Sequence, residues 1–228
     1  MAYLKNYPLE KKVNKVAFLV LLIVSFVAFC TAVNPLKWLA LFLTIFSWSN
    51  LYKEIANGKR NRPIEYFFSF SSLILLLFVL YVSRQNAVLA EIFVGDIFGS
   101  VSFCALLVFF LSIVKTIWFP YAMPKQRLQK KELPHAILSN ALIAVNEELW
   151  FRGAILFFLL PSQGAFFSIF SCAFLFSLMH LRNQKIFIWS FCNGLILSIA
   201  MVLFRNIFGP ILGHFLLNML NRYHFSLR

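Results

Sequence analysis

Acidic residues are scarce in this chain. Only 8 of its 228 residues are Asp or Glu, against 21 Lys and Arg, and charged residues of both signs make up 13%. Soluble domains carry about 25% charged residues, so an ordinary water-soluble domain is excluded. Glycine and proline are also few, at 8 each, and no internal repeat or low-complexity tract is present beyond a bias toward apolar residues. Four cysteines, Cys30, Cys104, Cys172 and Cys192, lie inside apolar runs and none forms a CxxC pair. That spacing offers neither a zinc nor a redox signature, and the four read as small core hydrophobes. The N-terminal region offers no convincing small-x-small cleavage site, and its apolar stretch from Val16 to Val33 is longer than a typical signal peptide's, so it reads as a first membrane helix.

What the chain has in excess is apolar surface. Hydrophobic residues make up 61%, 29 residues are phenylalanine, and the mean hydropathy is +0.80. Several runs approach the roughly 20 residues that span a bilayer. The expected fold class is therefore all-α, a polytopic integral membrane protein with about eight transmembrane helices. The apolar runs place them near 16–33, 37–52, 65–82, 97–115, 135–158, 164–181, 186–204 and 207–221.

Basic residues orient these spans. With the N-terminus inside, the cytoplasmic segments hold Lys5, Lys11, Lys12 and Lys15, then Lys53, Lys59, Arg60 and Arg62, then Lys115, Lys125, Arg127, Lys130 and Lys131. Arg182 with Lys185 and Arg222 with Arg228 follow on the same side. The other face keeps Lys37, Arg84 and Arg205. This asymmetry fits eight spans with both termini cytoplasmic. The net charge of +13 accordingly reports orientation and anionic-lipid contact, and nucleic acid is not expected as a partner. The compact chain points to a bacterial plasma membrane. Residues 121–135, "YAMPKQRLQKKELPH", form a basic connector punctuated by Pro124 and Pro134. It divides an anterior four-helix region, 1–120, from a posterior four-helix region, 136–228, within one membrane unit.

The chemistry concentrates in the posterior region. Glu10, Glu54, Glu65, Glu91, Asp96 and Glu132 fall in loops or near helix ends, whereas Glu147 and Glu148, in "NEELWFR", fall well inside a span. A charge at mid-helix costs about 2.5–3.5 kcal/mol, so Glu147, Glu148 and Arg152 unpaired would cost roughly 8–10 kcal/mol. Glu148 and Arg152 are four residues apart on one helical face and can neutralise each other. Glu147 points about 100° away around the helix and has no sequence-local partner.

Two more polar constellations interrupt apolar runs: "FSLMH", Phe176 to His180, and "HFLLN", His214 to Asn218. Intramembrane ionisable residues are functional candidates because lipid exposure is expensive. A desolvated carboxylate can act as general base on a water that a histidine helps to hold. A second histidine with an asparagine one helical turn away can donate to the oxyanion of a tetrahedral intermediate. The same groups, Glu147, His180 and His214, could instead ligate a metal such as zinc, although no HExxH helix is present. The blander reading of each element is structural: a buried ion pair for Glu148 and Arg152, a packing histidine for His180, and lipid-facing or core aromatics for Phe166, Phe167, Phe170 and Phe174.

Taken in order, EExxxR at Glu147, Glu148 and Arg152, FxxxH at Phe176 and His180, and HxxxN at His214 and Asn218 resemble the signature of the CPBP intramembrane protease family. That family includes the type II CAAX prenyl endopeptidases and the bacterial Abi proteins linked to bacteriocin processing and self-immunity. The resemblance covers about residues 135 to 222. It implies that Glu147 is the catalytic glutamate activating water, assisted by His180, with His214 and Asn218 stabilising the oxyanion. Glu148 and Arg152 would brace the site together with Phe176 of the FxxxH motif. Members have been described both as metalloproteases and as metal-independent glutamate proteases. The cofactor stays open, with none required in the glutamate mechanism.

The expected function is thus an intramembrane endopeptidase acting on a membrane-associated peptide or protein. The competing classes are a non-catalytic binding or self-immunity protein and a transporter that uses buried charge as an ion path. Depth along the helices sets a condition on this site. With a fifth helix beginning near His135, Glu147 lies about 18 Å along it, while His180 is expected near the cytoplasmic end of the sixth.

Overall fold

A computed structural model describes residues 17, 19–25, 37–56, 62–82, 92–118, 126–127, 130–180 and 184–224. The chain divides into two compact units, Met1–Ser83 and Arg84–Arg228. In the first, α1 (Lys37–Ala56) and α2 (Arg62–Val82) pack together. The Trp48 ring stacks against Phe68 at 5.2 Å and its indole N–H donates to the Phe68 carbonyl at 3.4 Å. Of the first expected span, 16–33, only residues 17 and 19–25 are described, and they are helical. Thr44 of α1 donates to the Ser25 hydroxyl at 3.1 Å.

The second unit holds α3 (Ile97–Trp118), α4 (Leu133–Glu148), a π-helical segment (Leu149–Ile155), α5 (Leu156–Met179), α6 (Gln184–Phe204) and α7 (Phe208–Arg222). A two-residue parallel pairing joins β1 (Gln126–Arg127) to β2 (Tyr223–His224). Otherwise the described secondary structure is helical. Leu133 to His135, at the end of the basic stretch, already belong to α4, and Pro134 sits in its first turn, where a missing N–H costs nothing.

Among the described residues, three helical stretches are long and apolar enough to cross a membrane: Ile97–Val114, Lys130–Met179 and Gln184–Phe204. Lys130–Met179 runs for 50 residues. A straight helix of that length would extend about 75 Å, more than twice the roughly 30 Å hydrocarbon core. Gly164 resolves this, because its φ of 72° and ψ of 169° break the helical path just after Pro161. The chain then folds back: the Cys172 thiol donates to the Phe151 carbonyl at 3.2 Å, and the rings of Phe151 and Phe176 meet at 5.2 Å. The expected fifth and sixth spans are the two arms of this bend.

Close contacts fix the remaining helices. Asp96 caps α3 by accepting the Gly99 N–H at 2.9 Å. The loop before α3 is laced to the loop between α6 and α7: Ile207 N–H donates to the Ile92 carbonyl at 3.0 Å, and the buried Asn206 amide donates to the Gly95 carbonyl at 3.2 Å. Ser100 in turn donates to the Asn206 carbonyl at 3.0 Å. Beyond this lacing α7 crosses α3 so closely that a Cβ at Gly209 would overlap the side chain and carbonyl of Ser100. Gly194 makes the equivalent close approach between α6 and Ala173 of α5.

These contacts give a stability prediction. Gly209→Val forces α3 and α7 apart, with an expected cost of about 1–3 kcal/mol from overpacking. Leu203→Ala, at a position 64% exposed, should leave stability unchanged. Thermal unfolding of both variants in detergent measures the difference, and equal midpoints would refute the close crossing.

Candidate active site

The two adjacent glutamates of α4 meet opposite environments. Glu148 is fully buried, and its Oε1 accepts from Arg152 Nη1 at 2.9 Å and from His214 Nδ1 at 2.7 Å. Arg152 is fully buried as well, and its Nη2 donates to the Gly194 carbonyl at 3.2 Å. Its guanidinium lies 4.6 Å from the centre of the Phe176 ring, within cation–π range. The expected i,i+4 pair is therefore formed, and it reaches α5, α6 and α7.

Glu147, by contrast, is 31% exposed. Its Oε2 lies 3.5 Å from His214 Nε2 and 3.7 Å from His180 Nε2. Both separations exceed a direct hydrogen bond between these groups. His180 Nδ1 is 3.0 Å from the Phe176 carbonyl, which can only accept, so Nδ1 carries the proton. His214 Nδ1 likewise donates to the Glu148 carboxylate. The Nε2 atoms of both rings face Glu147 Oε2, so that one carboxylate oxygen and two imidazole nitrogens converge.

Carboxylate and imidazole are also donor types that zinc takes. Among the described residues, however, no three His, Cys, Asp or Glu side chains are placed to hold a metal ion. Asn218 lies one turn beyond His214 on α7, and its Nδ2 is shielded from solvent without a hydrogen-bond partner. It is an unspent donor beside a cluster of acceptors.

Phe176 connects these parts. Its ring centre lies 4.6 Å from that of His180 and 5.6 Å from that of His214, while its face meets Arg152. The aromatics at Phe166, Phe167, Phe170 and Phe174 lie instead on the exposed face of α5. The expected depth mismatch between Glu147 and His180 does not arise. Counted from the bend at Gly164, Glu147 lies 17 residues before and His180 16 residues after, so both stand about 25 Å from it. From Leu133 to the bend the first arm measures about 46 Å, longer than the roughly 30 Å hydrocarbon core, so its first residue is no marker of depth.

Two features of the site lie outside the sequence motifs. Gly194 supplies the carbonyl that anchors Arg152, and a Cβ there would stand only 3.0 Å from Ala173 Cα of α5, so its lack of a side chain eases the approach. The π-helical segment, marked by Leu156 N–H bonding back to the Phe151 carbonyl, follows directly on Glu148 and carries Arg152. A glycine in the apolar run "FCNGLIL" was the available signal for the first. Nothing in residue type marks the second.

Comparison with known proteins agrees with the motif region. Residues 129–220 match the family model described as type II CAAX prenyl endopeptidase Rce1-like. No curated protein and no solved structure matches the chain.

The clamp makes a quantitative prediction. Arg152→Ala leaves the Glu148 charge buried without its cation, and breaking such a pair costs about 3–5 kcal/mol. Glu148→Gln combined with Arg152→Met should recover most of that loss. A cost below about 1 kcal/mol for Arg152→Ala in thermal unfolding would show that the pair does not hold these helices together.

Proposed function

We propose that this chain, whose residues 129–220 match the family model of type II CAAX prenyl endopeptidase Rce1-like proteins, hydrolyses a peptide bond of a membrane-associated peptide or protein using water activated by Glu147. The observation that carries this reading is the convergence of Glu147 Oε2 with the Nε2 atoms of His180 and His214 at 3.7 and 3.5 Å. Family membership supplies the reaction class, and the cluster supplies groups able to perform it.

In this mechanism Glu147 Oε2 takes one hydrogen of the water, while the other is held by the His180 Nε2 lone pair. The water oxygen attacks the scissile carbonyl carbon, and the carbonyl electron pair moves onto its oxygen. Asn218 Nδ2 donates to that oxyanion. His214 joins it once its Nε2 has taken the proton from Glu147, and the resulting imidazolium is balanced by Glu148 at Nδ1. Collapse of the intermediate expels the amine, which leaves with the proton held at the Glu147–His214 pair. Phe176, Arg152 and Glu148 hold the two imidazoles in place and touch no reacting atom.

The membrane arrangement extends the same reading. Division of Lys130–Met179 at Gly164, together with the shorter apolar helices Tyr66–Leu77 and Phe208–Leu220, is compatible with eight spans. The lysine and arginine asymmetry supports both termini lying on the cytoplasmic side, and a bacterial plasma membrane is the location this reading takes. Bilayer lipid and a peptide or protein are the partners.

The test compares wild type with Glu147→Gln by membrane peptidomics at matched expression. A peptide product should fall by about 10²- to 10⁴-fold with loss of the base. Asn218→Ala should lower the same product by about 10²- to 10³-fold, as loss of one oxyanion donor does. Identical peptide profiles, with both proteins folded and abundant, would favour a non-catalytic binding or self-immunity role.

A further inference from the structure

Asn193 lies in α6 within "FCNGLIL", an otherwise apolar run. It is only 8% exposed, and its Oδ1 is shielded from solvent without a hydrogen-bond partner. Leaving a buried polar group unpaired costs about 1–3 kcal/mol. Such a group needs a reason.

Its neighbours on the helix show which way that face of α6 turns. Four residues earlier, Trp189 packs against Val108 and Leu111 of α3 and Leu217 of α7. Four residues later, Leu197 packs against Cys104 of α3, and its Cδ2 is 3.4 Å from the place where Gly213 of α7 would carry a Cβ. Asn193 occupies the same stripe between them, so it stands at the level of the Gly213–Leu217 turn, which carries His214. The next residue's carbonyl, that of Gly194, anchors Arg152. The layer containing the clamp and His214 therefore also contains an unspent side-chain acceptor, which neither the motifs nor the mechanism above uses.

Its complement is on α7, where Asn218 Nδ2 is an unspent donor. One buried acceptor and one buried donor on facing helices match the N–H and C=O of an extended peptide backbone. In apolar surroundings a peptide's own N–H and C=O must find partners, each unmade bond costing several kcal/mol. A helical site has no sheet edge to offer, and side-chain amides provide the same groups.

We propose that Asn193 is a substrate-binding residue whose side-chain carbonyl accepts a backbone N–H of the peptide beside the scissile bond, while Asn218 faces the scissile carbonyl. This rests on the endopeptidase reading. It assigns Asn193 to holding the strand in register, with no part in proton transfer.

The experiment uses the full-length protein in detergent and a synthetic copy of the peptide whose cleavage Glu147→Gln abolishes. A series of copies carries one ester in place of one backbone amide at each non-scissile position, which removes a single N–H. In wild type, one position should lose about tenfold in kcat/KM, the upper range for one hydrogen bond. In Asn193→Leu that position should become indifferent to the ester, and Asn193→Asp, which keeps the acceptor oxygen, should stay sensitive. Should the leucine variant not fold, Asn193→Ser, too short to reach the strand, replaces it with the same expectation. A merely structural asparagine would change all the copies alike. Equal ester sensitivity at every position in wild type and variant, with Glu147-dependent cleavage intact, overturns the assignment and leaves the protease standing. Absence of any Glu147-dependent product removes both.

Discussion

A carboxylate with no access to water must be paired, and Glu148 makes that requirement the organising contact of the second unit. Its Oε1 takes hydrogen bonds from Arg152 and from His214. Arg152 then reaches the Gly194 carbonyl of α6 and the Phe176 ring of α5. One buried charge thus ties α4, α5, α6 and α7 at a single level. The attraction between the two ions offsets their desolvation only because the geometry is tight and further donors and acceptors are at hand. That is why the glycine opposite Ala173 matters: a side chain there would crowd Ala173 and require α5 or α6 to shift by a few tenths of an ångström.

The same pairing determines the chemistry of the next residue. Because Glu148 engages His214 Nδ1, the His214 ring is fixed in rotation and in tautomer, and its Nε2 faces Glu147. Phe176 does the equivalent for His180, through its carbonyl and its ring. Two carboxylates adjacent in sequence consequently serve different ends: one is spent on structure, and the other is left half-exposed with lone pairs around it. Environment, not residue type, separates the roles.

Much of this was legible from residue spacing. The EExxxR, FxxxH and HxxxN patterns name the side chains that meet, and the i,i+4 interval alone anticipates the Glu148–Arg152 pair. Measured from His135, Glu147 and His180 share a level only if a kink or shifted helix boundaries bring them together. Pro161 and Gly164 are the reference that matters, and counting from them places both residues at one level. The fifth and sixth expected spans, 135–158 and 164–181, correspond to the two arms of one helical stretch bent at Gly164. The π-helical turn after Glu148 had no sequence signal. It is a backbone adjustment to the tertiary contacts of Trp150, Phe151 and Arg152, all of them buried.

Several polar groups around the cluster remain unspent: Glu147 Oε2, Asn218 Nδ2 and Asn193 Oδ1. Each unmade hydrogen bond opposes folding, and their accumulation in one layer would be hard to sustain in a marginally stable protein. They sit beside the buried Glu148–Arg152 pair and the tight helix contacts at Gly194 and Gly213. That arrangement is what a hydrolytic site in an apolar chain requires. Rigidity must come from groups that are fully satisfied, so that neighbouring groups can be held unsatisfied until water and a peptide backbone complete them. In the proposed mechanism the clamp and the cluster form one device, and a single helical turn would supply both the anchor, Glu148, and the base, Glu147.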